Sequence, residues 1–309
     1  MTAAEADAPL ARGFKDLLVP LDGSNLAEVV LPAVRELARR FGARVTLLHV
    51  LEHGAPATVH GESHLDDPAQ AMAYLTKVAR RLADDGLVVD THVHPNPERD
   101  VTGSMITHAL ELGSDLVVLA THGSGSPRSF LVGSIAEEVL GHGTTPVLLV
   151  RPQPTASKGE FLVRRLLVPL DGTGDSERAL PVAEAVALAW GADVILLRVV
   201  PTRETLPPHE AAVAVRLPSA TEAALEMEQA TADDYVSGLC RGLAERGLVA
   251  HGEVLRGDPT GVVLEAVGRD GVDLVVMATH GRHGLEAFWA GSIGHRLSER
   301  LTVPLLILR

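Results

Sequence analysis

Cysteine is almost missing from this chain, Cys240 being the only one in 309 residues. A single thiol excludes an internal disulfide and a CxxC redox or zinc motif, and it fits a reducing, cytoplasmic compartment. Aromatic residues are scarce too, at 3%, and acidic side chains outnumber basic ones by 40 to 27, for a formal charge of −13. Proteins that grip a phosphate backbone carry basic patches and stacking aromatics, so nucleic acid is not an expected partner. No apolar run approaches the roughly 18 residues of a membrane span. The N-terminal MTAAEADAPLARGF is acidic and alanine-rich, without the basic region and apolar core of a secretory leader. Also missing are GxxxxGK followed by Ser or Thr, GxGxxG behind a first strand, GxSxG and HExxH. Their absence disfavours P-loop NTPases, dinucleotide enzymes, serine hydrolases and zinc proteases. No nucleophile stands next to a base in the pattern, so no catalytic residue is assigned.

What is present is length enough for two ordinary domains, at 309 residues of which 46% are hydrophobic, and a repeat. Asp115 to Leu140 reads DLVVLATHGSGSPRSFLVGSIAEEVL, and Asp273 to Leu297 reads DLVVMATHGRHGLEAFWAGSIGHRL. Ala120, His122, Gly123, Gly133 and Ser134 recur as Ala278, His280, Gly281, Gly291 and Ser292. An apolar strand repeats easily by chance, but ATHG-x9-GSI does not, so the chain contains a duplicated unit.

Each unit alternates apolar strands with helical patterns. In the first, strand candidates are Phe14 to Leu21, Val45 to Leu51, Leu87 to His94, Asp115 to Ala120 and Pro146 to Val150. Helical spacing begins at Ser24, Pro68, Val101 and Gly133, and Pro32 predicts a kink in the first helix. Glu52 to Asp67 reads as irregular. The plan restarts at Leu162, with a polar segment from Pro201 to Pro218 and a long helix from about Ser219 to Arg246. This predicts an α/β protein of two tandem Rossmann-like domains, each a five-stranded, mostly parallel sheet of order 3-2-1-4-5. Residues 1–13 form a tail, 14–151 the first domain, 152–161 a linker and 162–309 the second. Asp22 maps to Asp171 and Val50 to Val199 at an offset of 149, and Gly133 to Gly291 at 158. The inserted residues therefore fall between the second and third strands.

Ligands of doubly wound sheets bind where the strand order reverses. Here that lies between the first strand, ending at Asp22 or Asp171, and the fourth, ending at Ala120 or Ala278. A carboxylate there accepts hydrogen bonds from ribose or an aminopurine, and a helix start at Gly133-Ser134 or Gly291-Ser292 suits phosphate. Plainer readings stand beside this one. Asp22 before Gly-Ser also fits an Asx turn, and Ser134 with Glu137 fits a capping box. His122, His280, Arg128 and Arg282 fall in the same loops, where phosphate contact and simple solvation are both open. The string His49, His53, His60, His64, His92 and His94 has no counterpart in the second unit, and no metal ligand is assigned from it.

These residues resemble the universal stress protein family in its tandem form: VPLDGS and VPLDGT after the first strands, LLHV and LLRV in the second, then the repeated ATHG-x9-GSI. The resemblance implies that Asp22 and Val50 flank adenosine while Gly123, Gly133, Ser134 and Ile135 hold ribose and phosphates. In the second domain Asp171, Val199, Gly281, Gly291, Ser292 and Ile293 take these roles. It also implies ATP, with Mg2+, AMP and ADP as open choices, and a homodimer of tandem chains. Two features depart from the family: alanine replaces the first glycine of its G-x2-G-x9-G-(S/T) pattern at Ala120 and Ala278, and Arg99 replaces the glycine common before the third helix, where the second repeat keeps Gly257. The expected function is that of an ATP-binding cytoplasmic stress-response regulator with an unknown protein partner and at most slow hydrolysis. The alternative is an interaction module of the same fold that binds no nucleotide.

Overall fold

The computed structural model describes residues 12–54, 58–59, 62–121, 134–152, 161–279 and 293–309. The first repeat forms β1 (Asp16–Pro20), α1 (Leu31–Phe41), β2 (Arg44–Glu52), β3 (Thr58–Val59), β4 (Glu62–Ser63), α2 (Pro68–Ala83), β5 (Val89–Glu98), α3 (Val101–Glu111), β6 (Leu116–Ala120), α4 (Ser134–His142) and β7 (Val147–Val150). The second forms β8 (Arg165–Leu170), α5 (Gly174–Glu177), α6 (Ala179–Trp190), β9 (Asp193–Val200), α7 (Pro208–Arg216), α8 (Pro218–Glu245), β10 (Ala250–Arg256), α9 (Pro259–Asp270), β11 (Leu274–Ala278), α10 (Ile293–Arg300) and β12 (Leu305–Leu308). None of the described helices is long and apolar enough to cross a membrane.

Packing divides the chain into two compact units, one holding Arg12–Leu162 with Arg282–Arg309 and the other built on Val163–Gly281. The strands of the first repeat run β5-β2-β1-β6-β7, parallel to one another, which is the expected order 3-2-1-4-5. In the second, β10-β9-β8-β11 repeats it as 3-2-1-4. These strands read as near-continuous apolar runs because helices cover both faces. Leu17, Leu18 and Val19 of β1 are buried, as are Leu166, Leu167 and Val168 of β8. Each such side chain contributes about 1.5–3 kcal/mol by leaving water.

The helices show why the spacing was readable. α1 buries Leu31, Val34, Leu37, Ala38 and Phe41 on one face and stops at Gly42, whose φ of +62° is left-handed. α6 stops the same way at Gly191, φ +66°. Pro32 does not kink a helix as expected. A 3-10 turn (Ala27–Val30) precedes α1, and Pro32 lies in the first helical turn, where its missing N–H has no partner to lose. The polar segment after β9 holds a helix, α7, started by Pro208 with Glu210 in its first turn. The irregular reading of 52–67 gives way to a longer β2 and the small β3–β4 hairpin. β5 outruns its expected end through Pro95 and Pro97, which an edge strand tolerates, and pairs Glu98 with Glu52 past a register shift.

The last strands bring the repeats' ends together within one unit. β12 pairs antiparallel with β7, Leu305 opposite Leu149 and Ile307 opposite Val147. Two arginines at equivalent positions reinforce this pairing. Arg151 donates to the carbonyls of Ser298 and Glu299 (3.1 and 2.6 Å), at the end of α10. Arg309 donates to those of Gly141 and Gly143 (3.1 and 3.2 Å), at the end of α4. Each repeat thus caps the other's last helix, the reciprocity of an isologous contact.

Candidate functional site

β1 and β6 run parallel as neighbours, as do β8 and β11, so their carboxyl ends share one edge at the reversal of strand order. Asp22 and Ala120 stand there in the first repeat, Asp171 and Ala278 in the second. Asp22 Oδ1 accepts the backbone N–H and the hydroxyl of Ser24, at 2.9 and 2.7 Å. Ser24 Oγ in turn accepts from the N–H of Ala27 at 3.1 Å. Asp171 Oδ1 accepts the same pair from Thr173, at 2.9 and 2.6 Å. The Asx turn therefore forms in both repeats, and both aspartates stay half-buried. A turn held by one carboxylate oxygen is also a fixed carboxylate, which a ligand needs.

Val50 and Val199 are buried near the carboxyl ends of β2 and β9. Ala120 and Ala278 close β6 and β11 in extended backbone. An alanine methyl meets no strain there, since only positive φ favours glycine. Ile135 and Ile293 are half-buried at the starts of α4 and α10. Ser134 opens α4. His122, Gly123, Arg128, Gly133, His280, Gly281, Arg282, Gly291 and Ser292 lie outside the described residues. Next to them, Thr121 is buried, gives its N–H to Val150 O at 2.9 Å, and leaves Oγ1 without a partner among the described residues. An orphaned buried hydroxyl at the end of β6 is what a polar ligand would satisfy, so the residues present fit a nucleotide's ribose or phosphates.

The repeats differ around the aspartate. In the first, Leu65 rests on the turn: a Cβ at Gly23 would lie 2.7 Å from Leu65 Cδ1. Its carbonyl faces Nε2 of buried His49 at 3.2 Å, while His49 Nδ1 faces Leu21 O at 2.7 Å. In the second, Gly172 is exposed and its nearest neighbour is the Arg198 guanidinium, 3.8 Å from a Cβ built there. Arg99 is exposed between β5 and α3, whereas Gly257 has φ +147° and would press a Cβ to 2.9 Å from Val262.

The sequence reading missed a matched pair. The chain has two tyrosines, and they answer to each other. Tyr235 Oη donates to Glu177 Oε1 at 2.9 Å; burial first, then Glu177 and Asp171, push its phenol far above the ordinary range. Tyr74 is pushed up likewise by burial, then by Glu28 and Asp22. Glu28 and Glu177 are equivalent at the 149 offset. The inserted residues shift the tyrosines off both repeat offsets; asking which rare residues recur would have found them.

Comparison with known proteins agrees with the repeat. The model of the universal stress protein family matches residues 13–151 and again 163–309. A universal stress protein of Mycolicibacterium smegmatis is 24% identical over 304 residues, covering 95% of this chain and 96% of that one. The universal stress protein YxiE of Bacillus subtilis is 26% identical over 151 residues, 45% of this chain and 99% of its own. Among solved structures, a universal stress protein from Archaeoglobus fulgidus superposes with a TM-score of 0.69 at 17% identity, over 95% of this chain and 96% of its own. The cytoplasmic domain of a prokaryotic cation chloride cotransporter shares the fold at TM-score 0.54 and 14% identity, over 95% and 94%. One architecture in such different settings means that function must be argued from the site.

Proposed function

The chain belongs to the universal stress protein family, and from that premise we propose that it is an ATP-binding regulator of the stress response, working in the cytoplasm with one adenine-nucleotide crevice per repeat. The observation that carries this reading is doubled. An aspartate fixed at the carboxyl end of the first strand, at the reversal of strand order, is followed in both repeats by ATHG-x9-GSI. Asp22 with Val50, and Asp171 with Val199, flank the adenosine. Gly123, Gly133, Ser134 and Ile135, and Gly281, Gly291, Ser292 and Ile293, receive ribose and phosphates, with His122 and His280 beside them. A helix start presents unpaired N–H groups and the positive dipole end to that charge, with or without Mg2+.

The two aspartates each spend a carboxylate oxygen on their own turn, and no residue is assigned as a general base, so the reading gives slow hydrolysis at most. Nucleotide acts by changing conformation or the contacts of a paired chain and a regulatory partner. The second crevice fills first: Leu65 and His49 crowd the first turn, while Gly172 faces a guanidinium. Exposed Arg99, in place of Gly257, favours the competing interaction-module reading for the first repeat alone.

Protein purified without added nucleotide, denatured, and assayed by chromatography and mass spectrometry tests the reading. Released ATP that disappears in folded Gly133→Val, Gly291→Val protein supports it, and one equivalent per chain, lost with Asp171→Ala, supports the ranking. No released nucleotide, and no calorimetric binding at millimolar ATP, would leave the interaction module standing.

A further inference from the structure

The histidines left over by the repeat do not stay scattered. His92 and His94 share one face of β5, two residues apart, and meet His108 from α3. His94 Nδ1 stands 3.0 Å from His108 Nε2. The ring of His92 lies edge-on to that of His108, centroids 4.6 Å apart, and its Nε2 is buried without a partner among the described residues. Carboxylates hold the outer nitrogens: His94 Nε2 is 3.0 Å from Glu98 Oε1, and His108 Nδ1 is 3.4 Å from Glu111 Oε2.

A hydrogen bond between two neutral imidazoles accounts for the 3.0 Å contact but not for its surroundings, and a proton added to His94 would settle that pair while leaving His92 Nε2 stranded. His108 gives its one N–H to Glu111 and His94 gives its own to His108, leaving a His94 lone pair against the Glu98 carboxylate. His92 Nε2 is stranded as well. A cation between the inner nitrogens removes both conflicts. Each imidazole then donates its outer N–H to a carboxylate, the arrangement that orients metal-bound histidines.

The second repeat is an internal control. His92 and His94 pair with Leu48 and Val50 of β2, where β10 sets Glu253 and Leu255 against Leu197 and Val199. Counted from the equivalent caps Asp100 and Asp258, His108 answers to Ala266. The fold therefore does without all three imidazoles. The group Glu137, His295 and Glu299 is of another kind. Its carboxylates approach opposite nitrogens of one ring, at 3.5 and 3.9 Å, as around a single imidazole held between two acids.

We propose that His92, His94 and His108 bind one divalent transition-metal ion of the zinc, nickel or copper class, with Glu98 and Glu111 as outer partners and a ring rotation bringing His92 Nε2 onto the ion. Imidazole ligands select these ions over magnesium and calcium. The site stands apart from the nucleotide reading, and its test needs no nucleotide.

The full chain, stripped with EDTA and desalted, is titrated with zinc chloride by calorimetry and, separately, with cobalt(II) chloride by visible spectroscopy. One tight equivalent and the absorption of nitrogen-ligated, four-coordinate cobalt are the expected results. His94→Asn and His108→Asn each weaken zinc binding at least tenfold. Glu98→Gln weakens it about tenfold through the ligand's orientation, and His209→Ala, an exposed histidine elsewhere, changes nothing. Circular dichroism checks that each variant folds; should a histidine variant fail, Glu98→Gln still decides. No tight equivalent in the parent chain, or one that survives His94→Asn with His108→Asn, overturns the proposal.

Discussion

Glu36 lies on the buried side of α1 and accepts hydrogen bonds from Arg39 (2.7 Å) and Arg40 (3.2 Å). The Arg39 hydrogen bond, opposed by burial, holds its carboxyl below the ordinary value of 4.5. A folded value below the unfolded one means that the fold favours the ionised form. That stability is complete above the unfolded value and is lost as pH falls through the folded one. Glu36→Gln is expected to cost about 1 kcal/mol at pH 7, with the gap to the parent closing below pH 4.5. Urea unfolding at pH 7 and pH 3 measures it; a gap that does not close would assign the loss to packing. Gly257 gives a second single-residue outcome. Its φ of +147° and its closeness to Val262 make Gly257→Arg, the residue of the first repeat, cost about 1–3 kcal/mol. Thermal melts that match the parent would show that the second repeat can take the turn of the first.

Between elements, the tightest approach involving a described glycine of the second unit is that of β10 to α8. A Cβ on Gly252 would strike Val236 and come within 3.1 Å of Cys240 Sγ. Gly252→Val is expected to destabilise by about 1–3 kcal/mol through overpacking, and Val236→Ala in the same chain to restore part of it. The lifted helix should also expose Cys240, whose thiol burial holds up, to thiol reagents; unchanged labelling would mean that the helix yields elsewhere. Strands such as β6 and β11 were legible because burial on both faces writes an unbroken apolar run, and α1 because one buried face writes a 3.6-residue period. Pro32 misled because a proline in a helix's first turn and one in its middle look alike without the helix start. β5's extension and His108's approach depend on pairing across the sheet, which local pattern does not encode. Of the candidate site, the two aspartates and two valines were legible as repeated positions. The tyrosines were not, because the inserted residues break the numbering that relates them.

At the scale of the whole molecule, duplication leaves each repeat with a fifth strand whose outer edge needs a partner, and β7 and β12 supply each other. The arginine that follows each of these strands lies partly buried against the other repeat's last helix. Burial lowers the readiness of both Arg151 and Arg309 to stay charged, so their carbonyl partners must offset a desolvation cost. Removing either guanidinium strands two helix-end carbonyls, Ser298 with Glu299 or Gly141 with Gly143. Arg151→Ala and Arg309→Ala are each expected to cost about 1–3 kcal/mol, and by roughly equal amounts, because the contacts are reciprocal. The double variant decides how the pairing works. If the β7–β12 seam opens as one piece, the first substitution already loosens the second cap, and the combined loss in denaturant unfolding falls short of the sum. Strict additivity would make the caps independent, each fastening its own helix end whatever the state of the other.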